Sequence, residues 1–237
     1  MPQPPGHGPG YETKRWEIVD LAAGLFARKG YAATGINEIG EAAGLSKGAL
    51  YYYIGSKENL LVEIQGRVML PLLGTARRIT ALDADPLLRL RLLSESLLSM
   101  IMRRLEYIWV YEHDYRQLGE ENRLRLKQQR DEFEAIVTGL LEEAMELGLF
   151  RPMDARLAML QFLNLHNHTY QWVRPGGAWD ARLLAREYCA TLFAGFATGG
   201  TAGGGSIGGL EERVLAFLEA HPELVLDPSD DLSGAAA

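Results

Sequence analysis

Residues 36–53 read INEIGEAAGLSKGALYYY. Ile36, Ile39, Ala42 and Ala43 recur at helical spacing and give the first half a single apolar face. Gly44 tolerates a positive φ, so the helix stops there. Leu45 plugs the corner, and Ser46 is an N-cap residue whose hydroxyl can accept from the amides of the following turn. Lys47 to Tyr53 then makes two more helical turns in which Leu50 points inward. Lys47, Gly48, Ala49, Tyr51 and Tyr52 are left largely outward. The stretch therefore predicts two short helices joined by a tight turn.

The outward set carries the chemistry. Lys47 can reach a phosphate or a guanine edge, and Gly48 and Ala49 are too small to hold the backbone away from a groove. Tyr51 and Tyr52 offer flat rings tipped with hydroxyls, suited to thymine methyls, sugars and phosphates. A helical hairpin buried in a larger all-α core is the plainer alternative, but it does not account for tyrosines flanked by small residues on one surface. DNA in the major groove does.

The run from Ile18 to Leu61, about a fifth of the chain, closely resembles the DNA-binding domain of TetR-family transcriptional regulators. The matching residues are Ala22, Leu25, Phe26 and Gly30-Tyr31, then Thr34, Ile39 and Ala42-Ala43-Gly44-Leu45-Ser46. They continue through Lys47 to Tyr53 and through Ser56-Lys57-Glu58-Asn59-Leu60-Leu61. Many members carry His and Phe where this chain has Tyr53 and Ile54. The resemblance implies a homodimer on a palindromic double-stranded operator. It puts Lys47, Gly48, Ala49, Tyr51 and Tyr52 toward the groove and Thr34, Tyr53 and Lys57 on or near phosphates.

Net charge is compatible with this only when it is divided along the chain. The protein carries −7 from 24 basic and 31 acidic side chains, yet residues 1–70 hold seven of each, so the acidity lies downstream. A neutral domain with local basic residues fits site-specific contact better than non-specific coating. The single cysteine, Cys189, cannot form an internal disulfide and points to a reducing compartment. No run of about twenty apolar residues predicts a membrane span, and the first ten residues lack a signal core. A soluble, cytoplasmic protein is expected.

The expected fold class is all-α: an N-terminal three-helix helix-turn-helix domain plus a larger helical ligand-binding and dimerisation domain. Residues 1–10 read as a disordered lead-in. Residues 11–56 form the DNA-binding domain, with its first helix from about Thr13 to Lys29. Residues 57–197 form the effector-binding and dimerisation domain. Ser56 caps a connector helix from Lys57 to about Leu73, bent or ended by Pro71. Further helices are expected from Pro86 to about Leu105, over Glu106–Leu118 with a break at Gly119, and over Glu120–Leu147, Asp154–Val173 and Asp180–Phe196. Residues 198–237 comprise a Gly-rich linker, a short amphipathic helix built on Leu210, Val214, Phe217 and Leu218, and an acidic tail. The resemblance does not extend to that last segment; docking on the body is expected.

Two sites are expected in the large domain. In the resembled family, the last two helices pair with their mates as a four-helix dimer bundle; here they carry Ala155, Ala158, Ala185, Ala190 and Ala194. Met102, Tyr107, Trp109, Tyr111, Tyr170 and Trp172 combine apolar bulk with a few placed donors, as a ligand cavity requires, although ordinary core packing accounts for about half of such residues. Arg103, Arg104 and Arg174 can hold an anionic head group. The Arg-Pro-Gly-Gly ending at residues 174–177 loosely resembles members that sense acyl-CoA thioesters, so the expected effector is an acyl-CoA or another amphiphilic acid. A multidrug or aromatic-ligand sensor of the same fold is the alternative. His113 with Glu112 or Asp114, and His166 with His168, diverge around a helix and do not make a metal site. No nucleophile elbow, phosphate loop or HExxH motif is present, so an all-α lipid-handling enzyme has no identifiable catalytic group. No cofactor is implied.

Overall fold

The computed structural model describes residues 9–198 and 209–222. Most of the lead-in, the glycine-rich linker before Gly209 and the acidic tail lie outside the described residues. Among those described, the chain forms α1 (Pro9–Lys29), α2 (Ile36–Ala42), α3 (Lys47–Ile54), α4 (Lys57–Thr80), α5 (Pro86–Arg103), α6 (Leu105–His113), α7 (Glu120–Glu146), α8 (Ala155–Asn167), α9 (Ala181–Phe196) and α10 (Leu210–Ala220). Extended pairing among them is limited to one isolated bridge between Phe150 and Ala197. The fold is all-α, and no described helix is long and apolar enough to cross a membrane.

The helices fall into two compact units. One holds the chain up to Val68 together with Leu105–Lys127; the other holds Met69–Arg104 and the chain from Gln128. The first unit thus takes in the start of α4 and all of α6 besides the three N-terminal helices. Its core is the α1 stripe of Ile18, Val19, Ala22 and Phe26, met by Ile39, Leu50, Leu60, Leu61 and Ile64, all at most 1% exposed. Gly44 turns the chain at φ +66° between α2 and α3. Ser46 Oγ accepts from the Ala49 amide at 3.3 Å and starts α3. Gly40 is needed for close approach: a Cβ there would stand 3.1 Å from the Leu45 carbonyl oxygen.

The second unit is organised around α5, which Asp85 caps by accepting from the Leu88 amide at 3.0 Å. Leucines of α5 are buried on several sides, because α8, α9 and α10 all pack against it. α10 docks through Leu210, Val214 and Leu218. Glu211 binds the fully buried Arg91 guanidinium in bidentate fashion, at 2.7 and 2.9 Å.

Three elements differ from the sequence expectation. α1 begins at Pro9, so its first turn includes residues assigned to the lead-in. α4 runs to Thr80 and passes through Pro71. Proline removes one helical hydrogen bond, but Val68, Met69, Leu72, Leu73, Ala76 and Ile79 are buried at helical spacing across that point and carry the helix onward. α8 stops at Asn167 and tightens into a 3-10 turn, His168–Gln171, short of Val173. The tighter turn includes buried Thr169, whose hydroxyl lies 2.9 Å from that of Tyr188.

His166 is wholly buried in this unit. Its Nδ1–H donates to the Phe162 carbonyl at 2.7 Å, so Nε2 is the acceptor for the Ser94 hydroxyl at 2.6 Å. Burial holds its pKa down at about 4; the bond to Phe162 opposes this and the charge of Arg91 adds to it. Between that value and about 6.5 the unfolded chain carries a proton that the folded one lacks. Stability should therefore fall as pH drops from about 6.5 to 4, by up to ~1.4 kcal/mol per pH unit from this group alone. Denaturant melts of the wild type and of His166→Gln should diverge across that window, with a shallower slope in the variant. Parallel slopes would contradict a neutral buried histidine.

Candidate nucleic-acid interface

The helix-turn-helix leaves one face of α3 open. Leu50 and Ile54 are buried, whereas Tyr51 is 40% and Tyr52 61% exposed, beside exposed Lys47 and Gly48. Nothing lies within 4 Å of a Cβ built on Gly48, so the backbone there is accessible to a closely approaching partner. Ala49 and Tyr53 are half-buried. Tyr53 stacks on Tyr11 of α1 at 4.9 Å between centroids, and Tyr52 meets both of these rings edge-on.

Two residues expected at phosphates have other engagements. Thr34 is 1% exposed and donates its hydroxyl to the Gly30 carbonyl at 2.9 Å, closing the turn after α1. Its hydroxyl is thus engaged within the protomer. Lys57 Nζ lies 4.1 Å from the centre of the Tyr31 ring and donates to the Tyr31 carbonyl. Desolvation lowers its pKa, with the Asp114 carboxylate opposing. Asp114 in turn accepts from the Tyr31 amide at 3.2 Å. Glu58, next to Lys57, accepts from the Gly119 amide at 2.9 Å and from Asn122 at 3.2 Å.

A charged cluster unforeseen in the sequence ties α1, α4 and α6 together. Arg67 is 3% exposed and lies 3.4 Å above the Trp16 ring. Its Nη2 donates to Glu63 at 2.5 Å, its Nη1 donates to the Tyr107 hydroxyl at 3.0 Å, and Asp20 stands 3.7 Å away. Tyr107 donates to Asp20. Burial, chiefly, raises the Tyr107 pKa and keeps it a donor. Arg67 was detectable as a charge interrupting the apolar spacing of Ile64 and Val68, with Glu63 one turn before it.

The residues expected to form an effector cavity are divided between the units. Tyr107, Trp109 and Tyr111 belong to the first. Tyr107 serves the cluster just described, Tyr111 is buried, and Trp109 stacks on His113 at 4.2 Å. Met102, Arg103, Arg104, Tyr170, Trp172 and Arg174 belong to the second. Met102 packs against the Leu98, Leu184 and Ala185 core, and Trp172 lies edge-on to Trp179 at 5.8 Å. A cleft of about 550 Å³ in the first unit is lined by Lys14, Glu17, Asp20, Arg28 and Glu106 together with Leu21, Gly24, Ala42 and Ala43, and includes none of the residues expected to bind the effector. Of the alanines expected at a dimer seam, Ala158 and Ala185 are at most 1% exposed within the protomer. Small size let them pack internally, and they are not available to a partner. Ala190 and Ala194 are exposed and Ala155 is half-buried. Among the described residues, no group of three or more His, Cys, Asp or Glu side chains is placed to hold a metal.

A capped helix that presents tyrosines, a lysine and a bare glycine from a glycine-turned hairpin defines a helix-turn-helix DNA-binding protein. Residues 18–64 match the model for bacterial regulatory proteins of the tetR family, and residues 83–196 match the tetracyclin repressor-like C-terminal domain. The HTH-type transcriptional repressor KstR2 of Rhodococcus jostii (strain RHA1) is 30% identical over 199 residues, 83% of this chain and 98% of the relative. The solved ketosteroid transcriptional regulator KstR2 of Mycobacterium tuberculosis has a TM-score of 0.74 at 26% identity, covering 78% of this chain and 96% of that one. AibR, solved in complex with isovaleryl coenzyme A and operator DNA, has a TM-score of 0.68 at 25% identity, covering 76% and 98%. The chain belongs to the TetR family of transcriptional regulators, which bind DNA and are not enzymes.

The Arg67 cluster predicts a specific weakness. Tyr107→Phe keeps the ring but leaves Arg67 Nη1 and Asp20 without that hydroxyl, which should cost about 1–3 kcal/mol because Arg67 has little access to water. Amide exchange in α1 and α6 should accelerate accordingly. Unchanged exchange in both helices would show that the hydroxyl does not hold them.

Proposed function

We propose that this regulator is a homodimeric, cytoplasmic repressor that occupies a palindromic operator and is released by a small amphiphilic acid of the acyl-coenzyme A class. The observation that carries the DNA part is the exposed face of α3, where Tyr51 and Tyr52 flank an unobstructed Gly48 and Lys47. One such face reads too few bases for useful specificity. A two-fold pair reads two half-sites about one helical turn, or a multiple of it, apart. Support for pairing comes from α8 and α9, where Leu157 is 60% exposed, Leu160 38%, and Ala190 and Ala194 are also open.

The effector class rests on the relatives and on the chain's composition. AibR was solved with isovaleryl coenzyme A as well as operator DNA, and KstR2 is described as a ketosteroid regulator. In this chain the helical region downstream supplies Met102, Tyr170 and Trp172 for an apolar moiety and Arg103, Arg104 and Arg174 for an anionic one. α4 is unbroken from Lys57 to Thr80 and gives a continuous covalent route from that region to the DNA-reading helices. A shift of the bound population from 99:1 to 1:99 requires the ligand to favour the released state by about 5.5 kcal/mol. An acyl chain can supply that at roughly 25 cal/mol per Å² buried.

A duplex selected from a random-sequence library by the full-length protein provides the probe. Its enriched sequence should be palindromic. Fatty acyl-CoAs and polycyclic acyl-CoAs, titrated against the preformed complex, should release the duplex where free coenzyme A does not. An asymmetric selected sequence would contradict the dimeric reading, and no release by any thioester would contradict the effector class.

A further inference from the structure

Tyr11 stands seven residues before the matched helix-turn-helix region, which begins at residue 18, and it lies 41 and 42 positions from the residues it touches. In the last turn of α3 the Gly55 amide closes on the Tyr51 carbonyl. The carbonyls of Tyr52 and Tyr53 are among the final acceptors that a helix cannot satisfy internally. The Tyr11 hydroxyl lies 3.3 Å from each, so its single proton is shared between the two carbonyls. Its ring stacks on Tyr53 at 4.9 Å with an interplanar angle of 25°, and it meets Tyr52 edge-on at 5.5 Å. Tyr52 and Tyr53 also meet edge-on, at 5.4 Å, so the three rings pack mutually.

A tyrosine projecting from a helix surface normally samples more than one χ1 well. Here the rings are braced from outside α3, and the same residue ties down the helix end that carries them. We propose that Tyr11 is a positioning residue for DNA recognition: it holds Tyr52 and Tyr53 in the single arrangement that they present to the operator, and so shapes base preference without belonging to α3. The inference rests on α3 being the groove helix. Desolvation raises the Tyr11 pKa, so the hydroxyl remains a donor throughout the physiological range.

The test uses the full-length protein and a duplex that the wild type selects from a random library. Tyr11→Ala should weaken binding about tenfold, in line with the loss of a hydrogen bond and the ring packing around it. Tyr11→Phe, which keeps the stack, should lose less. In a Tyr52→Ala/Tyr53→Ala background, Tyr11→Ala should cost clearly less than in the wild type, because the rings it positions are gone and only its contact with the helix-end carbonyls remains. A library reselected by Tyr11→Ala should lose preference at the positions that Tyr52→Ala also relaxes.

Additive losses would overturn the inference by showing that Tyr11 meets DNA itself. Wild-type affinity in Tyr11→Ala would overturn it directly. So would a loss that tracks a lowered melting temperature and disappears on cooling, since Tyr11 would then be only a structural support. If Tyr51→Ala, Tyr52→Ala and Tyr53→Ala all bind normally, the groove reading of α3 fails first and this inference falls with it.

Discussion

A guanidinium withdrawn from water holds the DNA-reading unit together. An ionised side chain at 3% exposure is tolerable only if its charge is paired. For Arg67 the partners come from three helices: Trp16 from α1, Glu63 from its own α4, and Tyr107 from α6, with Asp20 of α1 on the far side of that hydroxyl. Withdrawing α1 removes Trp16 and Asp20 from the guanidinium, and withdrawing α6 removes the Tyr107 hydroxyl. α1 is also the platform on which α2 and α3 pack. The orientation of α3 therefore depends on a cluster to which α3 itself contributes no residue.

The second unit uses the same device. The Arg91 side chain is fully buried, with Glu95 one turn along α5, the Arg182 carbonyl from α9 and the Glu211 carboxylate from α10 around it. Glu211 lies beyond the residues that match the family's C-terminal domain. α10 is nevertheless integral to this unit: it supplies the bidentate partner and buries Leu210, Val214 and Leu218. Releasing α10 would let water reach Arg91, so its docking free energy limits how much a weakened ion pair can cost.

The helix-turn-helix was legible because its signals are local. A glycine that must turn at φ +66°, a serine cap three residues before the amide it serves, and a leucine facing inward among tyrosines are all readable within eighteen residues. Pairs distant in sequence leave no such pattern. Tyr11 with Tyr52 and Tyr53, Arg67 with Tyr107, and Arg91 with Glu211 join residues 40 or more apart. Small residues mislead for a different reason. An alanine permits close approach from either side, so Ala185 against Leu98 and Ala190 on the surface look alike in sequence. Pro71 reads as a bend or an end because one lost hydrogen bond is visible locally, whereas the buried stripe that carries the helix onward spans from Val68 to Ile79.

The central claim is that the open face of α3 reads DNA, and Tyr51 is where it can be tested with least disturbance. Its side chain is 40% exposed, while the neighbours that hold α3 in place, Leu50 and Ile54, are buried. Removing the Tyr51 ring should therefore leave the fold intact. The affinity of Tyr51→Ala for the wild-type-selected duplex, at fixed salt, is the most direct measurement. The account predicts a loss of about 1–3 kcal/mol with relaxed preference at one position of each half-site. Unchanged affinity and unchanged preference in a folded Tyr51→Ala protein would contradict it.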